Sequence, residues 1–216
     1  DSTQYKGGSS YQFGIVPFDN KGRTCGVITD KEWTVDVPNR TYGNAATFAN
    51  IKATYVDAPS WVSNFAFVRT ESLNISSFLQ FRVFGTGNVK YAKDKRVDDV
   101  TSYELISTGS LPSDAEYLAI SLKGLHRQKE GFELNPNSKY VVNIFDGTDS
   151  VEVSPIALHT DGAGDLYVIC TLAEYDSTST VPIVEIKEIK ERSSAPIFYE
   201  VSAFGVTGGA GQNFLI

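Results

Sequence analysis

Short runs in which apolar, β-branched and aromatic residues alternate with polar ones recur along the whole chain. A period of two is typical of half-buried β-strands, and clusters of Gly, Pro, Asn and Asp between the runs predict turns. The predicted strands are residues 11–18, 23–29, 51–55, 65–70, 78–84, 117–122, 140–145, 151–158, 166–172, 183–189 and 197–201. The pattern therefore predicts an all-β fold of antiparallel strands, arranged as a sandwich or barrel, with very little helix.

The first two predicted strands enclose a turn that runs from Asp19 to Gly22. Asp and Asn tolerate the left-handed region, and we expect Gly22 to adopt a positive φ there. Pro17 cannot donate a ladder hydrogen bond, which predicts a sheet edge or a bulge at this point. The one helical turn predicted for the chain spans residues 113–118, where Ser113 and Asp114 can cap it.

The stretch from residue 93 to residue 112 is polar and loop-like, which predicts a boundary between two subdomains. We expect a β-sandwich-like subdomain at residues 1–95, a connecting loop at 96–112 and a second β subdomain at 113–216. The chain begins at Asp1, contains no Met and ends on three apolar residues, from which we expect it to be a piece of a longer polypeptide.

Composition narrows the classes of function. The formal net charge of −7 is uneven, with about +2 in residues 1–100 and −9 in residues 101–216. An acidic second half repels phosphate backbones, so nucleic-acid binding is disfavoured. No stretch approaches the length of an apolar membrane span, and the polar N-terminus is unlike a signal peptide, so we expect no membrane insertion.

The residues that usually carry chemistry form no recognisable catalytic motif. His126 and His159 are the two histidines, and neither has the spacing of a triad or a zinc site. The acidic segments 146–149 and 161–165 are interpreted as hairpin turns, with calcium binding as the alternative. The Gly-rich segment 208–211 is interpreted as a connector. We predict a protein that is not an enzyme and holds no cofactor.

Cys25 and Cys170 are the two cysteines of the chain. Two cysteines are too few for a disulfide scaffold, so buried free thiols are the first interpretation and one long-range disulfide is the alternative.

Four segments carry a resemblance to a known family. Residues 5–29 (YKGGSSYQFGIVPFDNKGRTCGVIT) contain an aromatic-Gly strand and a turn ending in Gly22-Arg23. Residues 58–74 contain Pro59, Trp61 and the triplet centred on Arg69, residues 117–125 read YLAISLKGL, and residues 182–202 end on Tyr199-Glu200. In order and spacing, these segments resemble a β-rich module of large tail proteins, of the muzzle or tail-hub kind, from crAss-like and other Bacteroidetes phages.

The resemblance implies a structural and interaction module of a virion tail, assembled in the cytoplasm of the bacterial host, with other copies or modules of the tail as partners. It implies no catalytic residues. The candidate structural or interaction residues are those of the matching motifs: Gly22, Arg23, Trp61, Arg69, Tyr199 and Glu200.

Two other classes of function stay open. Aromatic side chains on a β-sandwich suit a carbohydrate- or receptor-binding domain for host adhesion. A tail-associated hydrolase would need a cleft with convergent polar groups. Because the run FAFVRT interleaves apolar positions, we expect Trp61, Phe65 and Phe67 to be core residues and not a sugar platform.

Overall fold

A computed structural model describes most of the chain. The described residues are 5–38, 52–55, 58–83, 88–97, 100–106, 110–123, 125, 132–146, 149–175, 182–190, 196–201, 204–207 and 212–215. His126 and the segment 208–211, as well as the central residues of the acidic segment 146–149, lie outside them.

These residues form sixteen β-strands and no α-helix, which confirms the predicted all-β class. The strands are β1 Ser10–Phe18, β2 Ile28–Asp36, β3 Lys52–Tyr55, β4 Asn64–Thr70, β5 Ile75–Arg82, β6 Val89–Val97, β7 Val100–Leu105, β8 Tyr117–Ser121, β9 Lys139–Asp146, β10 Asp149–Val153, β11 Pro155–Thr160, β12 Leu166–Thr171, β13 Ile183–Ile189, β14 Phe198–Val201, β15 Phe204–Thr207 and β16 Gln212–Leu215.

The predicted helical turn at residues 113–118 does not form. Ser113 and Asp114 lie in a turn in which the Ala115 amide donates to the Pro112 carbonyl (3.2 Å), and β8 begins at Tyr117. Among the described residues, no helix has the length and apolar character to cross a membrane.

The described chain divides into two compact units. The first is built from residues up to Ile75 and from Lys190 onward, and the second from the residues between Ser76 and Ile189. The sequence placed its boundary at residues 96–112 instead, where the structure has strand β7 paired antiparallel to β6 inside the second unit. The alternation of apolar residues does not predict β7, because it is an edge strand and edge strands accept polar side chains on their exposed side.

The first unit contains two sheets, with strand orders β14-β4-β1-β2 and β15-β16-β3. In the first of these, β1 is a central strand and pairs antiparallel with both β2 and β4. Pro17 is therefore not on an edge strand. Its position is tolerated because the ladder from β1 to β2 ends at the Ile15–Ile28 pair, before Pro17 is reached.

The second unit is a sandwich of a four-stranded sheet, β10-β9-β13-β5, and a five-stranded sheet, β11-β12-β8-β6-β7. Fully buried side chains of both sheets, such as Ile144 and Val184 from the first and Leu118 and Ile120 from the second, form one apolar cluster. This cluster is the main core of the unit.

The five-stranded sheet is strongly curled. Tyr103 lies on edge strand β7 and His159 on edge strand β11, yet their ring centroids are 5.9 Å apart. Edge strands of a flat five-stranded sheet would be about 19 Å apart. We name the inner side of the curl the concave face; it carries Ala92, Tyr103, Tyr117, Ala119, Ala157, His159, Tyr167 and Ile169.

Candidate functional site

Gly22 and Arg23 are the last two residues of the turn that follows β1 and begins at Asp19. Gly22 has φ of 77°, which confirms the predicted positive φ. Oδ1 of Asp19 accepts hydrogen bonds from the amides of Lys21 and Arg23 (2.8 Å each), and the Arg23 guanidinium pairs with Oδ2 at 2.6 Å. The amide hydrogen bond from Arg23 is the main reason that the pKa of Asp19 lies below its ordinary value. Both the backbone amide and the side chain of Arg23 thus stabilise the turn to which Arg23 belongs.

The turn from Asp161 to Asp165 repeats this arrangement in the second unit. Oδ1 of Asp161 accepts from the amides of Ala163 and Asp165 (2.9 Å each), and Gly164 has φ of 84°. The interpretation as a hairpin turn is confirmed, because β11 and β12 pair on its two sides. Among the described residues, no group of three or more His, Cys, Asp and Glu side chains is arranged to hold a metal ion.

Trp61 is an exposed residue, and the prediction that it fills the core is wrong. Its side chain is 45% exposed, whereas Phe67 is 4% exposed and Phe65 is half-buried. Trp61 lies in the turn before β4, where the Val62 amide donates to the Pro59 carbonyl at 3.0 Å. The alternation that directs Phe65 and Phe67 inward begins only with the strand, so it does not extend to Trp61.

Arg69, in β4, lies over two tyrosine rings. Its guanidinium carbon is 5.4 Å from the ring centroid of Tyr5 and 5.0 Å from that of Tyr11, and Nη1 donates to the Thr70 carbonyl at 3.0 Å. Tyr5 and Tyr11 contact each other edge to face at 5.2 Å. Burial raises the pKa of Tyr5, and the Arg69 charge lowers it in part. The tyrosines hold the arginine in place by cation–π contact.

Tyr199 is paired with Arg69 across the β14–β4 ladder, so the two side chains lie on the same face of the sheet. Its hydroxyl donates to Oε1 of Glu71 at 3.3 Å, and Lys190 Nζ is 3.9 Å from the other oxygen of Glu71. Glu200 is paired with Val68 and is exposed on the opposite face. We name Tyr5, Tyr11, Arg69, Glu71 and Tyr199 the Arg69 site.

The structure thus brings together two of the six residues selected from the sequence, Arg69 and Tyr199. Gly22 and Arg23 form the turn after β1, and Trp61 lies in the loop before β4, near the same end of the sheet, since the Ser63 amide donates to the Phe18 carbonyl. Sequence reasoning missed Tyr5 and Tyr11 as the partners of Arg69, although Tyr11 and Phe13 alternate in β1 and so share a face.

Large apolar side chains are exposed mainly in the first unit. Among the residues that the structure describes, six of the nine such side chains belong to it, with exposed fractions from 40% for Trp33 to 68% for Ile197. They are Val27, Ile28, Trp33, Trp61, Ile197 and Tyr199. Every residue from Asn20 to Thr34 is exposed. These side chains lie on both edge strands of the sheet, β2 and β14, and in the neighbouring loops, where they are accessible to a partner.

Both cysteines are free thiols, which leaves no disulfide between them. Cys170 is buried, and its burial raises the pKa of the thiol far above the ordinary value. Cys25 is exposed, so its predicted burial is wrong, because it lies in the exposed segment that follows the first turn.

His159 packs edge to face with Tyr103 on the concave face, and Tyr103 also contacts Tyr117 at 5.4 Å. Lys90 Nζ is 5.4 Å from the ring centroid of Tyr167, on the same face. Burial is the main reason that the pKa values of Tyr103 and Tyr117 are raised, and the Asp94 carboxylate adds to both shifts. Ala92, Ala119, Tyr167 and Ile169 are buried, so the concave face is filled by a small core of its own, and Tyr103, Tyr117 and His159 are its half-buried aromatic members.

Comparison of the chain with protein-family models, with curated proteins and with solved structures found no match.

Proposed function

We propose that this chain is a non-catalytic structural and interaction module of a phage tail, which packs against other copies or modules of the tail assembly. The observation that carries the interaction role is the concentration of exposed apolar side chains in the first unit. The assignment to a virion tail rests on the four motif segments that resemble tail proteins of Bacteroidetes phages.

The shape of β2 favours side-chain packing over the addition of a partner strand. Residues 30–33 of β2 lie opposite the single residue Phe13, so the strand bulges out by several residues, and the Glu32 amide donates to the Asp30 carboxylate at 2.9 Å. Bulges and charged side chains protect an edge from further strand pairing. Trp33, at the end of the bulge, is 40% exposed and is available to a partner.

The test is mass spectrometry of virions purified from a host culture that produces the chain, combined with lysine cross-linking. We expect the chain in amounts comparable to those of other tail proteins. Cross-links to neighbouring proteins should arise from Lys21 and Lys31, which are exposed beside the apolar residues of the first unit. Lys95 and Lys139, exposed in the second unit, are the matched controls. Absence of the chain from virions would refute the proposal.

A second candidate function, carbohydrate or receptor binding, is favoured by the three half-buried aromatic side chains of the concave face, Tyr103, Tyr117 and His159. Tyrosine rings with nearby hydroxyl and imidazole groups are suited to stack on a sugar and to hydrogen-bond its hydroxyls. A glycan array compares the wild-type chain with Tyr103→Ala and with Trp61→Ala. Selective binding that is lost in Tyr103→Ala and kept in Trp61→Ala would support this function at the concave face.

A further inference from the structure

The guanidinium of Arg69 has more hydrogen-bond donors than the described residues use. Nη1 donates to the Thr70 carbonyl, whereas Nε is buried and has no acceptor among the residues that the structure describes. None of the ion pairs formed by the described residues includes Arg69. A guanidinium carries five N–H donors in a fixed planar arrangement, so most of the donors of Arg69 have no acceptor among the described residues.

The contacts around Arg69 fix its position without neutralising it. Tyr5 and Tyr11 offer ring faces, which attract a cation but provide no carboxylate. The adjacent acid is already engaged, because Glu71 accepts a hydrogen bond from Tyr199 and lies next to Lys190. A positioned arginine with free donors is the usual arrangement for two-point binding of a carboxylate.

We propose that Arg69 binds the carboxylate of an aspartate or glutamate on a partner protein, with Tyr199 in the same contact. The inference rests on the proposed interaction role, and it names the chemistry of the partner. Tyr199 is 47% exposed beside Arg69, and Ile197, two residues earlier, is 68% exposed. An arginine among exposed aromatic and aliphatic residues is the composition of a protein interface. A site for an acidic sugar would need more converging polar groups than these residues offer.

The experiment follows the Nε–Hε signals of the arginines in the ¹⁵N-labelled chain by NMR. The probes are acetyl-aspartate methylamide, D-glucuronate and sodium chloride, at matched ionic strength. We expect the blocked aspartate to shift the Arg69 signal saturably in the millimolar range. Arg82, which is exposed in β5 of the second unit, is the internal control and should show only a small shift that does not saturate.

Arg69→Lys keeps the charge but loses the planar pair of donors, so we expect several-fold weaker binding. In that variant the backbone amides of Thr70 and Tyr199 report the titration. Saturation by glucuronate alone would overturn the assignment to a protein and indicate an acidic glycan. No difference between Arg69 and Arg82 with any probe would show that Arg69 is only a structural cation. Neither result would contradict the proposed interaction role, which is tested separately by mass spectrometry and cross-linking of purified virions.

Discussion

A single aspartate organises each of two hairpin turns, residues 19–23 in the first unit and residues 161–165 in the second. In both turns the aspartate Oδ1 accepts two amide hydrogen bonds, and a glycine three residues later has a positive φ. The glycine amide donates to the carbonyl of the aspartate, at 3.1 Å for Gly22 and 3.0 Å for Gly164. The sequence pattern Asp-x-x-Gly-x is thus sufficient to predict these turns. The aspartate side chain accepts the amide hydrogen bonds of the turn, and the glycine adopts the positive φ that the turn requires.

Gly164→Ala is expected to destabilise the chain by about 1 to 2 kcal/mol, because a side chain at positive φ strains the backbone. Space is not the obstacle, since a Cβ at Gly164 would meet no atom within 4 Å. Gly162→Ala is the matched control in the same turn: it has equal space and no positive φ, and should be neutral. The free energy of unfolding in urea measures both. Equal effects of the two substitutions would contradict the explanation from backbone strain.

Asp161→Asn is expected to reduce the acid sensitivity of the chain. The amide of Asp165 is the main group that holds the pKa of Asp161 below its ordinary value, and the Ala163 amide adds to it. Because the folded-state pKa is lowered, the stabilisation is complete above the unfolded-state pKa of about 4 and is lost as the pH falls through the folded-state value.

Asparagine keeps the acceptor oxygen of this turn and removes the charge. The measurement is the free energy of unfolding of the wild type and of Asp161→Asn between about pH 6 and pH 2. We expect the difference between them to shrink as the pH falls. Parallel curves over this range would mean that the charge of Asp161 does not stabilise the turn.

At the scale of the element, β1 depends on a close approach at Gly14. A Cβ on Gly14 would lie 2.8 Å from Cγ1 of Val27 and 3.0 Å from the carbonyl oxygen of Ile28. Gly14→Ala should therefore destabilise the chain by about 1 to 3 kcal/mol, as overpacking usually does. Adding Val27→Ala removes the side-chain clash and leaves the one with the backbone, so we expect partial rescue in thermal unfolding. Full rescue would show that only Val27 obstructs the new side chain.

Strand β13 carries a buried ion pair on the face opposite to the core. Glu185 and Lys187 are 1% and 3% exposed, and their charged groups are 3.1 Å apart. The Gln80 amide donates to Glu185 at 2.7 Å. The side-chain amide of Asn143 is oriented so that its oxygen accepts from Lys187 at 3.1 Å and its nitrogen donates to Glu152 at 3.2 Å. These five side chains, which come from all four strands of the sheet, are therefore joined into one network.

Lys187→Met should cost about 3 to 5 kcal/mol, because it leaves the Glu185 charge buried without its partner. Adding Glu185→Leu should recover most of that loss, since apolar residues often replace a buried ion pair at little cost. Chemical denaturation of the wild type, both single variants and the double variant measures the coupling. A double variant as unstable as the sum of the singles would show that the two residues act independently.

Strands are predictable from the sequence where apolar and polar residues alternate. They are less predictable where contacts with neighbouring strands determine which residues pair and which are buried. The run from Ile183 to Ile189 was assigned to a strand, but the burial of Glu185 and Lys187 depends on Gln80 and Asn143 from neighbouring strands. Strand β7, rich in polar residues, forms because β6 pairs with it. The Arg69 site depends in the same way on the register of β1, β4 and β14, which one segment of sequence does not specify.

At the scale of the molecule, the second unit interrupts the first. The chain enters it after Ile75 and leaves it at Ile189. Both crossings are fixed by local hydrogen bonds: Ser76 Oγ donates to the Glu188 carbonyl at 3.2 Å within the second unit. In the first unit, the Lys190 amide donates to the Asn74 carbonyl at 2.9 Å. The two ends of the inserted unit therefore lie side by side, as in domains that tolerate insertion into a host.

A division of this kind was not readable from the sequence. Composition predicts a boundary where polar residues accumulate, as at residues 96–112. The actual crossings between the units are defined by a contact between Ser76 and Glu188, which are more than a hundred residues apart in the sequence. Only strand pairing reveals it. Strand β5, which carries the start of the inserted segment, pairs with β13, which carries its end.

Residues 76–189, produced alone, are expected to fold and to unfold cooperatively, because the main apolar cluster lies wholly within them. The fragment 113–216, which follows the boundary predicted from the sequence, lacks β5, β6 and β7. It would expose the inner side chains of β8, including the fully buried Leu118 and Ile120, and should not fold. Circular dichroism through a thermal melt and the dispersion of amide NMR signals distinguish the two fragments. A folded 113–216 beside an unfolded 76–189 would favour the boundary at residues 96–112 and refute the inserted unit.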